Sequence, residues 1–267
     1  MSECTHDCST CANKCEHEVK VAEPTKDTNI KKIVAVLSGK GGVGKSMVTS
    51  LLAVELARAG YKVGVMDADI TGPSIPKVFG LQTELYGDED GIYPAESDLG
   101  VKAVSINMML PSEEDPVLWR GPILGGVIRQ FYSEVHWGEL DYLLIDMPPG
   151  TSDVAIALFQ QVPVNEIVMI TTPSKLVSMV VSKAINMAKE INIPVVGLVD
   201  NMAYVKCEKC GNDISIYKKD DSNNVAEKYG LEVLGKLPID VSLAELSDDG
   251  MIEQYTGDYL KKVVEKL

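Results

Sequence analysis

The sequence predicts an α/β fold, a mostly parallel sheet with helices on both faces. Three observations predict it. Short, continuously apolar runs alternate with helix-forming segments, the pattern of strands buried on both sides. A glycine-rich stretch, Gly39-Lys40-Gly41-Gly42-Val43-Gly44-Lys45-Ser46, stands between the first such run and its helix. Carboxylates recur where the runs end, and in an open parallel sheet ligands gather at those carboxyl ends.

The first strand is residues 33–37, all aliphatic, and its helix should run from Met47 to Gly60, a glycine suited to a helix end. A second strand over 63–66 ends on Asp67-Ala68-Asp69. Residues 82–117 are acidic and rich in glycine and proline, so irregular chain is expected there, with one strand at 101–104. A helix over about 126–134 is followed by a strand at 142–145 ending on Asp146. Strands at 167–170, 195–199 and 233–237 complete the sheet, with a helix between Ser174 and Ile191. The last ten residues place Leu260, Val263, Val264 and Leu267 opposite Lys261, Lys262 and Lys266. Such a face docks on its own domain more often than on a membrane.

The glycine-rich stretch matches G-x-x-x-x-G-K-[ST] in the strand–loop–helix context that makes it a phosphate cradle. Without side chains in the way, the N–H groups of Gly41 to Lys45 can converge on an anion, and the next helix points its positive end there. Lys45 would reach the β- and γ-phosphates, and Ser46 would take a place on Mg²⁺. Asp67, Asp69 and Asp146 end strands beside the cradle. They suit holding Mg²⁺ or orienting the attacking water, although any one of them alone would read as a helix N-cap. The segment from Asp146 to Asp153 contains Pro148 and Pro149 and is released at Gly150, a turn able to sense the γ-phosphate.

With 25 Lys plus Arg against 39 Asp plus Glu, the net charge is −14. Such a surface repels nucleic acid and acidic lipid, so neither is an expected partner, and no stable membrane association is expected. A cytoplasmic location is expected. The six cysteines form two groups, Cys4, Cys8, Cys11, Cys15 and Cys207, Cys210, which in a reducing compartment read as metal ligands. Residues 1–31 read as a flexible, separate extension ahead of a domain spanning 32–267. On a helix the four N-terminal sulfurs would spread over roughly 16 Å, too far for one centre, so a chain wrapped around a cluster fits better. Four thiolates suit [4Fe–4S] or Zn²⁺, with His6 or His17 able to replace one in a zinc site. The spacing of Cys4, Cys8 and Cys11 also matches a radical-SAM triplet, but here it precedes all folded structure. Cys207 and Cys210 cannot complete a tetrahedral site alone, so water, a partner or a second copy supplies the rest; a twofold axis beside the loop would place four cysteines around one cluster. A shared zinc knuckle or a redox dithiol are the alternatives.

These residues resemble the Mrp/ApbC-type iron–sulfur cluster carrier ATPases of the deviant-Walker-A group, alongside MinD, ParA and nitrogenase iron protein. The match runs through Lys40 in K-G-G-V-G-K-S, Asp67 to Ser74, Trp119-Arg120-Gly121-Pro122, Leu140 to Thr151, Asn201-Met202, Cys207-x2-Cys210 and Leu237-Pro238-Ile239-Asp240. The resemblance implies that Lys40 contacts the nucleotide of a facing subunit and that Asp69 orients the water, so Lys40, Lys45 and Asp69 are the catalytic set. It implies a nucleotide site of Gly39 through Met47 with Gly150, and base recognition by Asn201 and Pro238, with ATP as the nucleotide. It implies that Cys207 and Cys210 bridge a [4Fe–4S] cluster across a homodimer, received from a cluster donor and passed to apo-protein clients. Two other functions fit parts of the sequence: a zinc- or nickel-handling metallochaperone, and a MinD-like spatial regulator, which leaves both cysteine groups unexplained. The chain departs from the family where a glycine run usually follows the second cysteine pair, reading I-S-I-Y-K-K-D-D-S at 214–222, and at Ser152, where glycine is usual. The N-terminal spacing is also shorter than in the eukaryotic-type branch.

Overall fold

The computed structural model describes residues 21–69, 74–81, 85–109, 121–207, 209–217 and 221–267. Cys4, Cys8, Cys11 and Cys15, with His6, His17 and Trp119-Arg120, lie outside the described residues. The elements in chain order are β1 (Asn29–Ser38), α1 (Lys45–Arg58), β2 (Val63–Asp67), α2 (Ile75–Val78), β3 (Tyr86–Gly87), β4 (Ile92–Tyr93), β5 (Ala95–Glu96) and β6 (Lys102–Ser105). They continue with α3 (Gly121–Ser133), β7 (Glu139–Asp146), α4 (Asp153–Gln161), β8 (Glu166–Thr171), α5 (Lys175–Glu190) and β9 (Val195–Lys206). The chain closes with β10 (Asp213–Ser215), α6 (Asp221–Tyr229), β11 (Val233–Ile239), α7 (Val241–Asp248) and α8 (Lys261–Lys266).

The main sheet runs β10-β9-β8-β1-β7-β2-β6-β5, with β11 on β9. Its pairings are parallel except at the two short additions, β5 on β6 and β10 on β9. Strand β1 sits in the middle, flanked by β7 and β8, and residues 33–38 are buried because helices cover both faces there. The chain leaves β1 in one direction across the sheet and moves from β7 to β8 to β9 in the other. Right-handed crossovers therefore place α1 on one face and α4, α5 and α6 on the opposite one. Helix α8 joins α1, burying Leu260 and Val263 and leaving Lys261 and Lys262 exposed, so the C-terminal apolar face docks on its own domain as the sequence suggested.

The fold differs from the sequence expectation in several places: β1 begins at Asn29 rather than at residue 33, and α4, α6 and α7 form where the sequence reading places no helix. Strand β9 continues beyond Val199 to Lys206 because β11 and β10 give its far half partners that the local sequence does not reveal. The acidic stretch also carries a small hairpin, Tyr86 opposite Tyr93, whose rings lie 5.5 Å apart, with Tyr93 stacked on His136. Ahead of β1, the chain is fastened to the body: Ala22 is buried and its N–H donates to the Gln161 carbonyl, and Asp27 pairs with His136 at 2.9 Å.

Candidate nucleotide site and cysteine turn

The phosphate loop leaves the buried end of β1 and enters α1 at Gly44, the N-cap residue. Gly42 and Gly44 have φ of 80° and 75°, the left-handed region that a Cβ disfavours. Gly39 is required for a different reason: a Cβ there would stand 2.6 Å from the Val181 nitrogen, so the backbone of α5 crosses directly over it. On the other side Gly150, at φ 78°, donates its N–H to the Ser38 carbonyl at 2.8 Å. The turn after β7 is thereby stitched to the start of the loop. Lys40, Gly41 and Gly42 are exposed, whereas Val43 is buried. A cavity of about 450 Å³ opens here, lined by Gly41 to Met47 and Asp69.

Below the loop lies a knot of charge. Lys45 Nζ donates to Asp146 Oδ1 at 2.7 Å and stands 3.4 Å from Asp69 Oδ2. Ser46 donates to the other Asp146 oxygen at 2.5 Å, and Thr49 Oγ1 lies 2.9 Å from Oδ1. Asp67 and Asp146 are register partners on adjacent strands, so their carboxylates leave the sheet side by side. Asp67 accepts from the Asp69 and Ile75 N–H groups and from Ser105. Its pKa is pushed up to about 8, first by complete burial and then by the negative charge of Asp146, against the pull of Lys45.

The residues present fit a Mg²⁺-nucleotide. Backbone N–H groups with glycine dihedrals, a buried lysine, a hydroxyl at the first helical turn and two adjacent carboxylates are the donor set such a complex needs. The structure brings together Gly39 to Met47, Asp67, Asp69, Asp146 and Gly150. Asn201 also arrives, its side chain donating to the Val43 carbonyl at 2.9 Å. Pro238 does not join them: it pairs with Tyr204 on β9 and lines a different cavity, of about 410 Å³, beside Cys207.

Thr49, Ser105 and, from α7, Ser247 and Asp248 are parts of the site that the motifs missed. Thr49 had a signal, because it lies four residues after Lys45 and so on the same helix face. Ser105 ends a strand as the aspartates do. The α7 residues carry no local signal.

Cys207 and Cys210 occupy the turn between β9 and β10. The Gly211 N–H closes it onto the Cys207 carbonyl at 2.8 Å, and the Cys207 N–H donates to the Asn212 carbonyl. N–H groups of Cys210 and Lys209, and then the Cys210 thiol, point at the Cys207 sulfur and hold its pKa below the usual thiol range. Both thiols are free, Cys210 is exposed, and no third His, Cys, Asp or Glu ligand joins them among the described residues. Exposed Val205, Ile214, Ile239 and Val241 surround the turn.

Comparison with known proteins identifies the chain. The family model described as ParA, NUBPL iron-transfer P-loop NTPase, matches residues 29–267. The chain belongs to that family. An iron–sulfur cluster carrier protein from Clostridium perfringens is 44% identical, over 94% of this chain and 95% of its own length. One of the same description from Methanocaldococcus jannaschii is 40% identical over 100% of this chain and 97% of its own. Among solved structures, a nucleotide-binding protein from Archaeoglobus fulgidus in complex with ADP superposes with a TM-score of 0.78 at 43% identity, covering 87% of this chain and 91% of its own. The cell division ATPase MinD of Pyrococcus furiosus, at 22% identity and a TM-score of 0.62, shares the fold. The fold is therefore that of a P-loop NTPase with a mostly parallel sheet.

Proposed function

We propose that this chain is an ATP-hydrolysing iron–sulfur cluster carrier. Two copies hold one [4Fe–4S] cluster between their Cys207 and Cys210 thiolates and pass it to apo-protein clients. The observation that carries this reading is the cysteine turn itself: two free thiols at the rim, one already polarised toward thiolate, offering half of a four-thiolate site. The carrier names of relatives aligned over nearly the whole chain support it, as does the ADP complex of the Archaeoglobus protein.

At the nucleotide site Lys45 and the N–H groups of the loop bind the phosphates, and Ser46, Asp67 and Asp146 hold Mg²⁺, which supplies charge neutralisation on the transferring phosphoryl group. Asp69, beside Lys45, orients the attacking water. Lys40, exposed at the loop's outer edge, faces the nucleotide of the second copy. Asn201 serves the base as well as bracing the loop at Val43, whereas Pro238 stands apart in the cavity beside Cys207. Cys4, Cys8, Cys11 and Cys15 hold a second centre of iron–sulfur or zinc. A chain that works through free thiols belongs in the reducing cytoplasm.

Anaerobic iron–sulfur reconstitution tests this, with metal counts and sizing of the wild type and of Cys207→Ala/Cys210→Ala. The expected result is a broad absorbance near ~400 nm, the charge-transfer band of thiolate-ligated iron, which falls in the variant together with the loaded dimer. Colourless protein that holds zinc in both forms overturns the reading in favour of a metallochaperone.

A further inference from the structure

Strand β9 touches both sites. Upstream, Asp200 is held on both edges, opposite Thr171 of β8 and Lys236 of β11. Downstream, Tyr204 is again held on both edges, opposite Pro238 of β11 and Ser215 of β10. Between these clamps β9 advances four residues, 200 to 204, while β11 advances two, 236 to 238. The surplus is a bulge at residues 201–203, and within it Met202 has φ 55°, a left-handed conformation uncommon for a side chain of its size.

The bulge points Asn201 at the phosphate loop. The side chain is 2% exposed, its Nδ2 donates to the Val43 carbonyl at 2.9 Å, and a Cβ on Gly44 would collide with that same nitrogen. Gly44 is the N-cap of α1, so Asn201 rests on the point where loop becomes helix. Six residues further along, roughly 20 Å of extended chain, comes Cys207. The intervening residues are tied to β10 through Tyr204–Ser215, Val205–Ile214 and Lys206–Asp213, which makes the cysteine turn the tip of a stiff hairpin.

We propose that this bulge couples the two sites, with Asn201 as the positioning residue. Filling the cradle shifts the Val43 carbonyl, Asn201 follows it, and the strained bulge takes up the movement by shifting the β9–β10 hairpin that carries Cys207 and Cys210. Strain concentrated at one bulge between two doubly clamped segments makes that point the compliant one. By reciprocity, occupation of the thiols alters nucleotide affinity through the same contact. The inference rests on the nucleotide-binding part of the function proposed above and not on the cargo.

Hydrogen–deuterium exchange of the full chain, with and without Mg²⁺-ADP, tests it. In the wild type, nucleotide should protect residues 41–46 and change exchange at 204–215 by at least about twofold. Met202→Gly, which relaxes the strained φ and leaves the Asn201–Val43 contact in place, should keep the first effect and lose the second. Asn201→Ala, which removes a residue of the nucleotide site itself, is read only at a nucleotide concentration that restores protection of 41–46, and should likewise lose the second. Cys207→Ala/Cys210→Ala should behave as wild type, so the coupling stands or falls separately from the carrier reading. An unchanged hairpin in the wild type overturns the proposal. So does a nucleotide response at 204–215 that survives in whichever bulge variant binds nucleotide.

Discussion

Lys45 Nζ and Asp146 Oδ1 lie 2.7 Å apart, with side chains 5% and 0% exposed, so the lysine that serves phosphate also neutralises a buried carboxylate. Lys45→Ala should therefore damage the fold as well as the chemistry. Removing one member of a buried ion pair costs about 3–5 kcal/mol. Urea denaturation should show a loss of that order, and Mg²⁺-ATP should no longer raise the melting temperature. A loss under about 1 kcal/mol would mean that water, not Lys45, relieves Asp146.

The raised pKa of Asp67 makes stability of the nucleotide-free protein depend on pH. Between the unfolded value of 3.8 and the folded value of about 8, the folded state binds the extra proton. Stability from this group is therefore greatest at or below the unfolded value, declines as pH rises toward about 8, and is flat above it. Asp67→Asn should remove the slope. Melting temperatures of the two proteins from pH 5 to 9 should diverge, the variant becoming relatively more stable toward the alkaline end.

Cys207, with its pKa held down by N–H groups, carries more thiolate at neutral pH than an ordinary cysteine. Brief alkylation with iodoacetamide at pH 7, followed by peptide mass spectrometry, should label Cys207 ahead of Cys210. Preferential labelling of Cys210 would show that the turn does not polarise its first sulfur.

Asp27 raises the pKa of His136 above 6.5 through their hydrogen bond, and His136 lowers that of Asp27. The charged pair is complete below about pH 6.5 and above the Asp27 value, and it is lost as pH rises through the raised His136 pKa. Limited proteolysis within residues 21–28 should accelerate between pH 6 and 8.5 in the wild type. In Asp27→Asn it should be fast throughout.

The nucleotide site was legible in the sequence where its parts are local. The loop from Gly39 to Ser46 declares itself, and Asp67 and Asp146 each end an apolar run. That those two carboxylates would be register partners required the strand order, which no local pattern contains. Asn201 illustrates the same limit: its contact with Val43 exists because β9 lies beside β8 and β8 beside β1. The reach of β9 to Lys206 was hidden because Met202 interrupts regular strand geometry and the partners lie downstream. Ser247 and Asp248 enter the cavity from a helix some 200 positions away in the chain, where only tertiary folding brings them near.

The surplus in the β9 bulge is two residues, an even number. Because side chains alternate faces along a strand, an even insertion leaves the later residues on their original sides, whereas an odd one inverts them all. Trimming a single residue from 201–203 would therefore turn Tyr204 toward the face now held by Val205 and carry both thiols with it. Deleting two would shorten the reach to the rim but keep its handedness. Length variation at this point is tolerable only in pairs, which makes the spacing from Asp200 to Cys207 a matter of parity as much as of distance.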